Sequence, residues 1–189
     1  MAGTQNATVA GTTTWTIDPT HTLVELSAKH MMITTVKGRF SGVTGTLVVD
    51  EQNPDNSSVE VEIETATIDT GTAQRDEHLR SADFLDVETY PKITFRSRRV
   101  EGAINEEGDQ FRVYGALTIR DTTREVMLNA TYEGRGDDPW GGERVSFSAT
   151  TKIDRRDFGL TWNVALEAGG ILVSNEVRIS LDVQAVRAE

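Results

Sequence analysis

Three histidines, His21, His30 and His78, are the residues whose type first suggests chemistry. Imidazole is the commonest transition-metal ligand and the side chain that titrates nearest neutral pH. The spacing fits no compact metal motif, since no two of the three lie three or four residues apart. A structural role, with each imidazole bonded to backbone or to a carboxylate, suits them better than a metal site. His78 follows Asp76 by two residues and Arg75 by three, an order that would suit a general base with an orienting acid. No nucleophile accompanies it, because the chain has no Cys and no Gly-x-Ser-x-Gly elbow. Arg135-Gly136-Asp137 matches an adhesion tripeptide by its letters, yet it lies in a Gly-rich turn. Asn-x-Ser/Thr at Asn6, Asn56 and Asn129 carries meaning only for a protein secreted in a glycosylating host.

The elements around these residues read as strands. From Ser58 to Ile68, Val59, Val61 and Ile63 alternate with Glu60, Glu62 and Glu64, which places one face in oil and the other in water. The period of two recurs in Ile93 and Phe95, in Phe111, Val113, Leu117 and Ile119, and in Val126, Leu128, Ala130 and Tyr132. It continues through Val145, Phe147, Ala149 and Ile153 and closes in Val177, Ile179, Leu181 and Val183. Thr22 to His30, with Val24, Leu26 and Ala28, and Val36 to Asp50, broken near Gly42 and Gly45, bring the set to about eight strands. Turn chemistry at Pro54, at Gly102 and Gly108, and at Pro139 and Gly141 gives short links, and short links join antiparallel neighbours. Gln74 to Phe84 is rich in charged helix formers and reads as a short inserted helix, with Thr72 a candidate N-cap. Arg75, Asp76 and His78 then read as anchors of that helix across the barrel wall. Leu160 to Asn175 is an apolar connection too long for a tight turn.

A chain of 189 residues suits one domain. We expect a flexible tail over residues 1–13 and a barrel domain over 14–187. A formal charge of −11 repels phosphate backbones, so nucleic acid is not an expected partner. Met1 to Thr14 lacks the basic start and apolar run of a signal peptide, no stretch has membrane-span length, and the expectation is a cytoplasmic protein. Strands of about ten residues span on the order of 33 Å, and long twisted strands with one apolar face close into a barrel or split into a sandwich. Periodicity leaves both open.

Trp15-Thr16-Ile17-Asp18, Lys29-His30 and Gly38-Arg39-Phe40, the run from Arg75 to Asp86, Tyr90-Pro91-Lys92-Ile93-Thr94-Phe95, and Asp157-Phe158-Gly159-Leu160-Thr161-Trp162 closely resemble the YceI-like family. The match runs from about Thr14 to Val186. Asp121 stands where the family commonly has Gly, Glu125 where it often has Pro, and Ser174-Asn175 replaces its usual Gly-Asp.

The resemblance implies an all-β, eight-stranded antiparallel up-and-down lipocalin-like barrel with a short helical insertion. It also implies a lipid tunnel in place of a filled core, holding a polyisoprenoid or isoprenoid quinone, with no catalytic site and no cofactor. The expected ligand contacts are Val24, Leu26, Val61, Ile63, Ile93 and Phe95, then Val113, Leu117, Phe147 and Ile179, with Phe40, Phe84 and Trp162 and with His78 at a polar end. A homodimer is compatible with this picture. The competing expectations are an enzyme acting on an isoprenoid or quinone head group at the barrel mouth, and a stress-response protein whose barrel is a closed core.

Overall fold

Residues Ser58–Glu64 show how the chain builds its wall. Val59, Val61 and Ile63 turn inward and pack in the core, while Glu60, Glu62 and Glu64 stay exposed. On the outer face Glu60 pairs with Arg96 at 3.1 Å and Glu62 with Lys92 at 2.6 Å, both across the strand boundary. Exposed pairs of this kind contribute up to about 1 kcal/mol each, so inward burial sets the register and the ion pairs decorate it.

A computed structural model describes residues 11–189. Its strands are β1 (Thr12–Ile17), β2 (Leu23–His30), β3 (Thr34–Phe40), β4 (Val43–Asp50), β5 (Ser58–Glu64), β6 (Lys92–Glu101), β7 (Gln110–Ile119), β8 (Thr122–Asp137), β9 (Glu143–Asp154) and β10 (Glu176–Arg187). Every paired neighbour is antiparallel, in the order β1-β4-β5-β6-β7-β8-β9-β10-β2-β3, and β1 also pairs with β10. That last pairing closes the sheet. Because β1 pairs with β4 and β2 with β3, β1-β2 and β3-β4 are two long strands, each bent in the middle. Counted so, the ring is the closed eight-stranded meander that the alternation and the resemblance led us to expect. Of the expected tail, residues 1–10 lie outside the described part, while Thr12 and Thr13 pair with Asp50 and Val49 in the wall.

The bend between β1 and β2 is a short 3-10 turn over Pro19–His21, where Asp18 accepts a hydrogen bond from the Thr20 amide at 2.9 Å. Pro19 has no amide to offer a ladder, so strand pairing stops there. A second device appears at Gly115 on β7. A Cβ there would stand 2.5 Å from Phe95 Cζ and 2.6 Å from the Arg96 carbonyl oxygen, so the bare backbone is what leaves room for the Phe95 ring.

The helix α1 (Ala73–Arg80) follows β5 and stops four residues before the expected end at Phe84. Ser81 is the reason: its amide and its hydroxyl both donate to the His78 carbonyl, and Phe84 and Asp86 then bond back to Ser81. Thr72 occupies the N-cap position, but its side chain makes no capping bond. Two of the expected anchors also act differently. Arg75 donates to the hydroxyl and carbonyl of Thr70, and Asp76 accepts from the amide and hydroxyl of Thr70, so both tie the insertion to itself and not to the barrel wall. His78 bonds Asp83 within the same insertion.

Residues 31–33, 65–91, 120–121 and 155–175 gather at one end of the barrel, and the links 51–57, 102–109 and 138–142 at the other. Among the described residues no helix is long and apolar enough to cross a membrane.

Candidate functional site

The inward side chains do not fill the barrel. They enclose a cavity of about 310 Å³ whose surface is apolar almost throughout. Val24 and Leu26 from β2, Phe40 from β3, Val61 and Ile63 from β5, and Ile93 and Phe95 from β6 line it. Val113 and Leu117 from β7, Phe147 from β9 and Ile179 from β10 complete the ring, and Phe84 closes on it from the insertion. These are expected contacts, each on the inward phase of its element. His78 and Trp162 stand one layer behind. Their rings meet edge to face at 4.6 Å between centroids, and Phe84 packs against both at 5.1 and 5.3 Å. They buttress Phe84 and reach the cavity through it.

The remaining histidines point outward. His21 Nδ1 bonds the Asp18 carboxylate at 2.8 Å, and His30 ends β2 beside Val173. A carboxylate is therefore the partner of the His21 and His78 rings, as expected, while among the described residues the bonds of His30 are those of its backbone and not of its imidazole.

Sequence reasoning missed several wall residues. Ile68, Leu79 and Leu85 come from the insertion, Ile104 from the β6–β7 link and Leu160 from the connection before β10, segments whose periodicity predicts no inward face. Val126 and Leu128 carried the signal in the alternation of β8. Arg155 is the least expected lining residue. It is 5% exposed and donates to the carbonyls of Ser174, Leu160, Trp162 and Val173 at 2.7 to 3.3 Å. Burial draws its guanidinium below the ordinary arginine value, and the four carbonyl dipoles supply the solvation that water would otherwise give.

Chemically the cavity is quiet. Among the described residues its lining contains no Asp, Glu, His, Lys or Tyr, and of its polar members Thr151 donates to the Met127 carbonyl, Ser148 donates to Glu133, and Ser57 accepts from the Asp50 amide. A second depression, about 860 Å³, lies on the outside across β2, β8, β9 and β10 among Glu25, Arg124, Lys152, Asp154 and Arg178. Mixed charges make it a solvated surface, so the interior is the site.

The chain matches the model of the YceI-like domain over residues 15–185. It is 38% identical over 167 residues to Protein YceI of Salmonella newport (strain SL254), covering 88% of this chain and 82% of that protein. The crystal structure of Campylobacter jejuni YCEI protein superposes with a TM-score of 0.71 at 28% identity, over 85% of this chain and 90% of that one. A domain from Saccharophagus degradans, described as polyisoprenoid-binding and implicated in plant cell wall breakdown, shares the fold with a TM-score of 0.64 at 13% identity, over 92% of this chain and 98% of that one. With nearly the whole barrel inside the family match and the motif-bearing insertion closing its cavity, the chain belongs to the YceI-like family.

Proposed function

We propose that the barrel binds and carries a long apolar ligand, a polyisoprenoid or the tail of an isoprenoid quinone, without transforming it. The observation that carries this reading is the unfilled apolar space. At about 24 cal/mol per Å³, an empty cavity of about 310 Å³ would withhold on the order of 7 kcal/mol of packing energy, as much as the whole net stability of many domains. A barrel whose only task was to fold would fill that space with larger side chains. An apolar chain restores the lost contacts. At about 0.8 kcal/mol per buried methylene, ten carbons contribute roughly 8 kcal/mol gross, from which the ordering of a flexible chain subtracts a large part. The description of the Saccharophagus domain as polyisoprenoid-binding supports the choice of ligand class. Among the described residues the wall offers no carboxylate or imidazole to act as acid or base on a bound molecule, which favours carriage over turnover.

Native mass spectrometry of gently purified protein, followed by organic extraction, tests the reading. A co-purifying isoprenoid adduct is the expected result. Protein at its bare mass that also fails to take up a fluorescent isoprenoid after delipidation overturns it. Conversion of a supplied isoprenoid or quinone head group by purified protein overturns the carrier reading in favour of an enzyme.

A further inference from the structure

Beside the cavity, the barrel end carries an apolar tip that its own fold does not use. Met31, Met32 and Ile33, the residues linking β2 to β3, are 43%, 58% and 77% exposed. Val164, 45% exposed, joins them through main-chain bonds: Leu172 donates to the Val164 carbonyl, and Met31 donates to the Leu172 carbonyl at 2.7 Å. Single exposed apolar residues are ordinary, but contiguous ones mark a contact surface.

The backbone sharpens the point. Ile33 donates to the His30 carbonyl at 3.0 Å, and both central residues of that turn, Met31 and Met32, have positive φ of 52° and 60°. A turn of this hand favours Asn-Gly, and unbranched apolar residues in both places are what folding alone would remove. Local strain kept at an exposed site points to use.

The charge of the β2–β3 hairpin differs from that of the whole, and from that of the acidic insertion at the same end. Between Leu26 and Val49 the chain has no Asp or Glu. Within the hairpin, from Leu23 to Phe40, Lys29, Lys37 and Arg39 outnumber Glu25, in a chain whose formal charge is −11. Lys37 lies 3.4 Å from Glu25 and Arg39 3.7 Å from Asp69, both loose exposed pairs, while Lys29 donates to Thr35. We propose that the β2–β3 hairpin docks the protein on an anionic lipid bilayer, with Met31, Met32 and Ile33 among the acyl chains and Lys29 and Lys37 at the head-group phosphates. The acidic remainder, the insertion at the same end included, is repelled by the same surface, so the molecule lands on the hairpin. Ala28 and Val173, on the two segments that form the tip, also line the cavity, which places its wall next to the membrane.

Co-sedimentation with phosphatidylcholine vesicles containing phosphatidylglycerol is the test. Wild type is expected to bind, more weakly as salt rises. Met31→Asn combined with Met32→Gly should lower partitioning roughly tenfold or more while leaving the melting temperature equal or higher, because the new pair suits the turn. Lys29→Gln with Lys37→Gln should weaken binding about fivefold or more on these vesicles and leave binding to pure phosphatidylcholine unchanged. Wild type that stays in the supernatant at every composition overturns the proposal, as does a Met31→Asn, Met32→Gly variant that binds as tightly. A homodimer dissolved by that same pair of substitutions, with no vesicle binding, assigns the tip to a second copy of the chain and equally overturns it. Vesicle binding is independent of cargo, so its failure and an empty cavity are separately visible.

Discussion

Arg155 and Arg156 are adjacent and identical in type, and the fold treats them in opposite ways. Arg156 is exposed and grips Asp154 with two nitrogens, at 2.6 to 3.2 Å, which holds that carboxyl down at about 2. Arg155 is buried and holds together the connection leading to β10 through four carbonyls. Arg155→Met leaves those carbonyls short of a donor, so urea denaturation should show a loss of about 2 to 5 kcal/mol, whereas Arg156→Met should change stability by less than about 1 kcal/mol. Nothing in the letters separates the two, because burial depends on where the loop from Leu160 to Asn175 passes. Leu117 is a different case: its inward phase on β7 is legible from alternation, and its exposure to a void is not. Leu117→Trp should lower the melting temperature by no more than a few degrees while abolishing uptake of a fluorescent isoprenoid by delipidated protein. A filled core would instead lose about 1 to 3 kcal/mol from overpacking, and unchanged uptake would count against the cavity as the binding site.

The element most worth probing is the bend between β1 and β2. The Thr20 hydroxyl foremost, then the Arg144 guanidinium and the His21 ring, hold the Asp18 carboxyl well below the ordinary carboxylate range. Arg144 reaches Asp18 at 2.7 Å and Asp138 at 2.9 Å, so one cation ties the bend to the β8–β9 link. An acid whose folded pKa is depressed binds fewer protons folded than unfolded, so its stabilisation is present above the unfolded value near 4 and disappears as pH falls through the folded value. Asp18→Asn should therefore lower the urea midpoint at pH 7, and the gap to wild type should narrow steadily below about pH 4. A gap that holds constant into acid would mean that the carboxylate charge does not support the bend. Elements were legible where local chemistry acts alone: Val59, Val61 and Ile63 against their glutamates announce β5, and Gly42 announces the break between β3 and β4, whereas Gly45, expected to share that break, pairs with Val61 inside β4. The end of α1 was not, since Ser81 outcompetes helix propensity that continues on paper to Phe84.

For the molecule as a whole, alternation showed the strands from β2 onward and their short links, it did not show β1 (Thr12–Ile17), and the closed ring followed from the resemblance. Whether the ring is hollow could not, because Val113, Leu117 and Phe147 show the same pattern in a packed core and in a wall. The answer lies in summed volumes across strands far apart in the chain, a quantity no local window contains. Closure has a further consequence for biosynthesis. The seam joins Trp15 to Arg187 and Ile17 to Ala185, and Leu26 to Ile179, so the last strand made completes the first. Until β10 leaves the ribosome, the nascent chain is an open curl with one greasy face and two free edges, a state that invites chaperones and aggregation. Contacts this distant in sequence form slowly. The container does not exist before β10 has been made, so cargo must be loaded into a finished barrel.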